Sequence, residues 1–198
     1  MRRRAAGPAL ALVAALLAPL PAAAQDPIAP LPPRGAMETV GIRLGDITFL
    51  VPKDLYAVPT SPRAERQFAL ILPLVPLAGV AKDDPQDLTV SVLHDPAGRI
   101  RRDPQRALAE LADGATVRVD EDGFFHYPSA TGERVETHDA QGQPFTLHCS
   151  TDAEPACRRD AAYAPTITVT YRYPRPYLRH AVEIETAVFQ ILDSLRAR

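Results

Sequence analysis

The sequence predicts an α+β domain: an antiparallel β-sheet with one short internal helix and a long C-terminal amphipathic helix packed on it. Three observations carry this expectation. Residues 166–173 (TITVTYRY) alternate strictly, with Ile167, Val169, Tyr171 and Tyr173 on one face and Thr166, Thr168, Thr170 and Arg172 on the other, the pattern of a half-buried antiparallel strand. Residues 176–197 instead place Ala181, Ile184, Val188, Ile191 and Leu195 at spacings of three and four, with Arg179, Glu183, Gln190 and Asp193 mostly opposite, the pattern of an amphipathic helix. The order of elements also lacks the strict strand–helix alternation of a parallel sheet.

At the N-terminus three zones follow one another. Arg2, Arg3 and Arg4 form a basic start, residues 9–20 form an apolar run, and Ala22-Ala23-Ala24 supplies the small side chains a signal peptidase reads. The apolar run falls short of the roughly 20 residues that span a bilayer as a helix, and Pro19 and Pro21 break its far end. Residues 1–24 are therefore expected to be a cleaved signal peptide, which places the mature protein in the periplasm or outside the cell, with no membrane span after cleavage. Residues 25–39 are Pro-rich and without periodicity, a tether. Residues 40–198 form a single domain, and a mature chain of 174 residues is long enough to bury a sizeable core.

Within the domain, residues 42–51 read as one strand that stops at the Pro52-Lys53-Asp54 turn. Residues 68–77 (FALILPLVPL) are the most apolar run of the mature chain, but Pro73 and Pro76 cannot donate to a ladder, so only the first half suits a strand. Residues 87–94 (DLTVSVLH) alternate cleanly. Asp103 and Pro104 are a good N-cap and first helical residue, Leu108 and Leu111 an apolar face and Gly114 a stop, which gives the internal helix. Strands resume at 116–119 and 124–127 around the turn Asp120-Glu121-Asp122-Gly123. A further hairpin runs over 132–138 and 143–149 around Ala140-Gln141-Gly142.

The only cysteines, Cys149 and Cys157, enclose a seven-residue loop. In an oxidising compartment they are expected to pair, worth about 2–3 kcal/mol by loop closure. Their spacing is not that of a Cys-x-x-Cys redox or metal motif.

Composition narrows function. Removing the signal takes three arginines away, so 19 basic residues face 24 acidic ones, a net charge of −5. Such a chain is a poor partner for nucleic acid, which rewards a basic stripe. No nucleophile elbow, zincin motif, phosphate loop or dinucleotide fingerprint occurs. No cofactor is called for. His138 and His148, on adjacent expected strands, could meet with Asp139 or Asp152 at a metal, although scattered surface histidines are the commoner situation, so no metal site is assigned. Asp120-Glu121-Asp122-Gly123 suggests calcium, but the twelfth position of an EF-hand counted from Asp120 is Thr131, so a charged turn fits better.

Residues 171–180 (YRYPRPYLRH) interleave aromatic and basic side chains at a strand-to-helix junction. Tyr and Arg are favoured interface anchors, so Arg172, Arg175, Tyr177 and Arg179 are the candidate binding residues. Against this, Tyr171 and Tyr173 share the face of Ile167 and Val169 and belong with a core.

Asp46-Ile47-Thr48-Phe49-Leu50-Val51-Pro52, an apolar strand ending in proline, resembles the opening strand of PsbP-like domains. Val188-Phe189-Gln190-Ile191-Leu192-Asp193-Ser194-Leu195 resembles the helix that closes them. The resemblance covers the two ends of the domain. It implies an antiparallel sheet flanked by helices and a non-enzymatic accessory or binding role; some exported immunity proteins of bacterial toxin systems belong to this group. The leading expectation is thus a periplasmic, non-enzymatic protein that contacts an envelope protein, with inhibition or immunity as one form of that role. Two alternatives stand beside it: an envelope hydrolase using His138 or His148 with nearby carboxylates, and a small-ligand carrier whose pocket is lined by residues 68–77.

Overall fold

The computed structural model describes residues 26–31, 37–57, 66–76, 86–97, 116–129, 132–139 and 141–197. The expected signal peptide and the internal helix at 103–114 lie outside the described residues.

The described residues form eleven strands: β1 (Thr39–Leu44), β2 (Ile47–Pro52), β3 (Tyr56–Ala57), β4 (Gln67–Pro73), β5 (Asp87–His94), β6 (Arg118–Val119), β7 (Phe125–Ser129), β8 (Gly132–His138), β9 (Pro144–Cys149), β10 (Ala156–Ala164) and β11 (Ile167–Pro174). A 3-10 turn over Arg175–His180 leads into the helix α1 (Ala181–Leu195). β1 and β2 pair as a hairpin, and the other nine strands make one antiparallel sheet in the order β3-β4-β5-β11-β10-β9-β8-β7-β6.

The fold class therefore departs from expectation. Strand makes up 53% and helix 19% of the described residues, which form a mainly β domain with a C-terminal helix rather than the expected α+β domain. Two local causes are visible. Residues 42–51 do not form one strand, because Gly45-Asp46 turns the chain between Leu44 and Ile47, which pair. Gly45 has φ 60°, as the first central residue of a tight II′ hairpin turn requires. Residues 156–164, Ala-rich and charged, lack an alternation strict enough to announce a strand, yet β9 and β11 on either side supply the ladder that makes them β10.

Register sorts each strand into two faces. One face of the large sheet carries Phe68, Leu70 and Leu72 of β4, Val90 and Val92 of β5, Val169, Tyr171 and Tyr173 of β11, and Phe145 and Leu147 of β9, all buried. α1 lies on it through Ala181, Ile184, Val188, Leu192 and Leu195, close to the predicted stripe, although the α-helix proper starts at Ala181 after the 3-10 turn. The β1–β2 hairpin shares this side: Phe49 is fully buried with its ring 5.2 Å from that of Phe68, and the Ala197 N–H donates to Thr48 O at 2.8 Å. The two segments that resemble PsbP-like domains are thus β2 and the end of α1, and they meet in space. Phe68, Leu70 and Leu72, offered by one alternative as a cavity lining, are fully buried members of the hydrophobic core.

A polar bracket pins α1 to the sheet. Arg159 donates from Nε to Glu185 Oε2 and from Nη2 to Glu185 Oε1 at 3.1 Å, and from Nη1 to Thr146 O at 3.0 Å. Tyr171 Oη donates to Glu185 Oε2 at 2.6 Å, and the guanidinium lies 3.7 Å from the Phe145 ring centre. Within the Pro-rich stretch expected as a tether, Ile28 is buried and bridges Leu74, with the Ala29 N–H donating to Pro73 O at 3.1 Å.

Candidate interaction face

The other face of the sheet carries a different chemistry. Tyr127 of β7 pairs with Arg134 of β8, Arg134 with His148 of β9, His148 with Arg158 of β10, Arg158 with Arg172 of β11, and Arg172 with Thr89 of β5. Side chains directly opposite one another share a face with Cβ atoms about 4.5–5.5 Å apart. Three arginines and a histidine from four adjacent strands therefore stand in one row across the sheet. Arg158 and Arg172 are like charges directly opposite each other, which by itself destabilises a sheet.

The next row holds the counter-charges. Arg158 donates from Nη2 to Asp160 Oδ1 at 2.9 Å, and Thr170 Oγ1 donates to the same oxygen at 2.5 Å. Arg134 Nε lies 3.2 Å from Glu136 Oε1. Arg134 is only 4% exposed, its guanidinium is 4.5 Å from the Tyr127 ring centre, and its Nε and Nη2 make no hydrogen bond. This buried guanidinium already faces an anion, the Glu136 carboxylate. The Tyr127 phenol is pushed up from its ordinary value, by burial first and then by the Glu136 carboxylate, against the opposing pull of Arg134. Arg172 is exposed and forms no ion pair among the described residues. It borders a groove of about 480 Å³ whose wall includes Asp87, Thr89, Glu154, Pro174 and Pro176. At the opposite end of the face the apolar side chains of Phe125 and its cross-strand partner Val119 are 39% and 55% exposed.

The candidate residues chosen from sequence do not form one patch. Arg172 stands in the row just described. Arg175 points to the helix-covered side and binds Glu133 Oε1. Tyr177 is fully buried, its Oη donating to Val75 O at 3.0 Å. Arg179 is exposed on the 3-10 turn. The strict alternation of β11 ends at Pro174, and the change to a 3-10 turn resets which side each residue faces.

The expected meeting of His138 and His148 does not occur. His148 pairs with Arg134 and His138 with Pro144, at opposite ends of the β8–β9 hairpin, about 13 Å apart along the strands. Among the described residues no group of three or more His, Cys, Asp or Glu side chains is placed to hold a metal ion. The histidine that does meet carboxylates is His126, 3% exposed, with Nε2 2.8 Å from Asp120 Oδ2 and Nδ1 3.2 Å from Glu133 Oε1. Asp120 also accepts the N–H groups of Asp122 and Phe124, closing the acidic turn. Burial pushes the Asp120 carboxyl up, but the His126 hydrogen bond and these backbone donors outweigh it and hold it below its ordinary value. The acidic run is thus a turn, and His126 locks it to β8.

Cys149 and Cys157 are directly opposite each other on β9 and β10 and form a disulfide.

No family model matches the chain, and no curated protein matches it. Among solved structures it is similar to Smlt3025, an immunity protein of the Stenotrophomonas maltophilia type IV secretion system. The two are 12% identical, and the match covers 81% of this chain and 94% of that one with a TM-score of 0.52. At that identity the likeness is one of fold. It extends over most of both chains, whereas the resemblance to PsbP-like domains rests on two short segments.

Proposed function

We propose that this is an exported, non-enzymatic binding protein that works in the periplasm or outside the cell by contact with another protein, in the manner of an inhibitor or immunity protein. The observation that carries the reading is the row Arg134, His148, Arg158 and Arg172, held on one sheet face of a domain whose overall charge is negative. Glu136 and Asp160 occupy Arg134 and Arg158, and exposed Arg172 is left to give a partner surface of opposite sign steering and specificity. The three-zone N-terminus, the disulfide and the fold shared with an immunity protein support the same reading.

Of the residues singled out by sequence, Arg172 is proposed as a direct contact and Arg179 as a neighbour on the adjoining turn. Arg175 and Tyr177 hold the end of β11 that presents Arg172. The test is in-cell cross-linking of the exported, C-terminally tagged protein, compared with the Arg158→Glu/Arg172→Glu variant. The expected result is one envelope protein recovered in near-equal amount with the parent and depleted at least tenfold with the variant. Recovery of no specific partner, or of one that both forms bind equally, overturns the reading.

A further inference from the structure

We propose that the outer edge of β1 is a docking surface for an extended segment of another protein, which adds to the β1–β2 hairpin as an antiparallel strand with an acidic residue opposite Arg43 and an aromatic residue opposite Gly41. This edge is separate from the face that carries Arg172, and the proposal goes beyond the reading above without resting on it.

The backbone sets the first condition. In an antiparallel pair, alternate residues exchange their backbone bonds with the partner strand, and the residues between them turn theirs away. Two bonds fix which residues do which. The Lys53 N–H donates to Glu38 O at 2.9 Å, one step beyond the Thr39–Pro52 pair, so the even-numbered residues of β1 face β2. The Ala197 N–H donates to Thr48 O at 2.8 Å, so Thr48, the partner of Arg43, faces away from β1. Thr39, Gly41 and Arg43 therefore direct their N–H and C=O groups outward. Among the described residues no strand lies on that side of β1. The strand is six residues long, against two for each end strand of the large sheet, and neither a proline nor a bulge interrupts it. Those are the usual devices that close an edge to addition, and a row of free backbone groups of this kind is what an added strand pairs with.

Side chains select the segment. Gly41 is exposed, and a Cβ there would have nothing within 4 Å. Its partner on β2 is Leu50, 39% exposed and on the same face. With Thr39 and Pro52, Leu50 also lines a cavity of about 140 Å³. At about 4.8 Å per strand, the residue added opposite Gly41 stands about 10 Å from Leu50, a gap over the glycine that an aromatic ring covers and a short side chain does not. Arg43 is exposed and forms no ion pair among the described residues, its Nε donating to Gly45 O at 3.1 Å. A carboxylate directly opposite makes a cross-strand charge pair with it. On the other face Val40 and Ile42 are half-buried, and Ile42 packs against the core, which suits apolar neighbours. Read opposite Arg43, Ile42, Gly41, Val40 and Thr39 in turn, the segment is acidic, apolar, aromatic, apolar and polar.

The experiment titrates the mature protein with an end-capped peptide containing Glu-Val-Tyr-Val-Thr and follows backbone amide shifts by NMR to millimolar peptide. One version is methylated on the Tyr nitrogen, which faces β1 in the added strand; another is methylated on the nitrogen of the Val after it, which faces away. The expected result is shifts confined to the β1–β2 hairpin, with the Tyr-methylated peptide at least fivefold weaker than the Val-methylated one. Gly41→Pro removes an outward N–H and no bond of the β1–β2 ladder, so it should keep the parent spectrum elsewhere and lose the peptide. Arg43→Glu, which leaves the backbone edge as it is, should turn the preference to the peptide with Lys in place of Glu. Equal binding of the two methylated peptides, no shift at millimolar concentration, shifts centred on the Arg172 face, or an Arg43→Glu variant that still prefers Glu overturns the inference. A dimer of the protein alone that Gly41→Pro abolishes assigns the edge to a second copy and overturns it as well.

Discussion

Glu185 is the point where the helix can be detached from the sheet by one substitution. It accepts two hydrogen bonds from Arg159 and one from Tyr171, and Arg159 and Glu185 are each 16% exposed. In Glu185→Ala, Tyr171 Oη has lost its acceptor at a fully buried position, and Arg159 keeps only Thr146 O. A stranded hydroxyl costs about 1–3 kcal/mol, and a charge left unpaired in a buried site about 3–5. The residual exposure lets water reach the guanidinium, which brings the sum below its lower end of about 4 kcal/mol, to about 3 kcal/mol. For a domain of this size that is a fall of roughly 6–12 °C in Tm. Glu185→Gln keeps an acceptor for Tyr171 and should cost about half as much. The assay is urea unfolding followed by far-UV circular dichroism, run as a double-mutant cycle with Arg159→Ala. A coupling energy above about 1 kcal/mol is expected. A Glu185→Ala loss under about 0.5 kcal/mol, or additive single variants, would refute the claim that this bracket holds the helix in place.

The Tyr171 and Tyr173 phenols are both pushed up from their ordinary values, chiefly by burial. The Glu185 carboxylate adds to the rise in each, and Arg159 opposes it. Below about pH 10 both states keep these protons. Above it the unfolded chain releases them and the folded one does not, so stability should fall by about 2–3 kcal/mol per pH unit. Urea midpoints between pH 8 and 11 check this, and Tyr171→Phe/Tyr173→Phe should flatten the slope; a parent midpoint unchanged across that range counts against it. Gly132 has φ 150°, and a Cβ there would stand 2.2 Å from Cys149 O, whereas Gly142, at φ 75°, has open space around it. Gly132→Ala should therefore cost more than 2 kcal/mol and Gly142→Ala about 1, compared by thermal melts. Breaking Cys149–Cys157, with its sequence separation of 8, should cost about 2–3 kcal/mol, measured with and without reductant and in Cys149→Ala/Cys157→Ala.

How much was legible in the chain depended on the range of the interaction. β5, β11, the β8–β9 hairpin and the stripe of α1 are written in local periodicity, and each formed close to its expected place. β10 was hidden because its pattern is imposed by neighbours on both sides. The Gly45 turn was hidden because the apolar spacing of 42–51 runs on through it. Tyr177 carried an interface signature in sequence and became core, since the break at Pro174 turned it inward. The arginine row was the least legible feature. Arg134, His148, Arg158 and Arg172 lie on four separate strands, and three independent registers must be known before they line up. A local signal did exist: Arg134, His148 and Arg172 each sit between residues of the opposite face.

Among the described residues the two strands that terminate the nine-stranded sheet, β3 and β6, are each two residues long. Growth of a sheet by addition of further chains needs a run of unpaired backbone groups at its margin, and a two-residue strand offers too few to hold a newcomer in register. The central strands, seven to nine residues long in β4, β5, β10 and β11, are enclosed by partners on both sides. The taper toward the margins keeps the long strands of the sheet enclosed. Recognition by this sheet is then confined to the side chains of a face, where sequence can specify it, and withheld from the backbone, where it cannot.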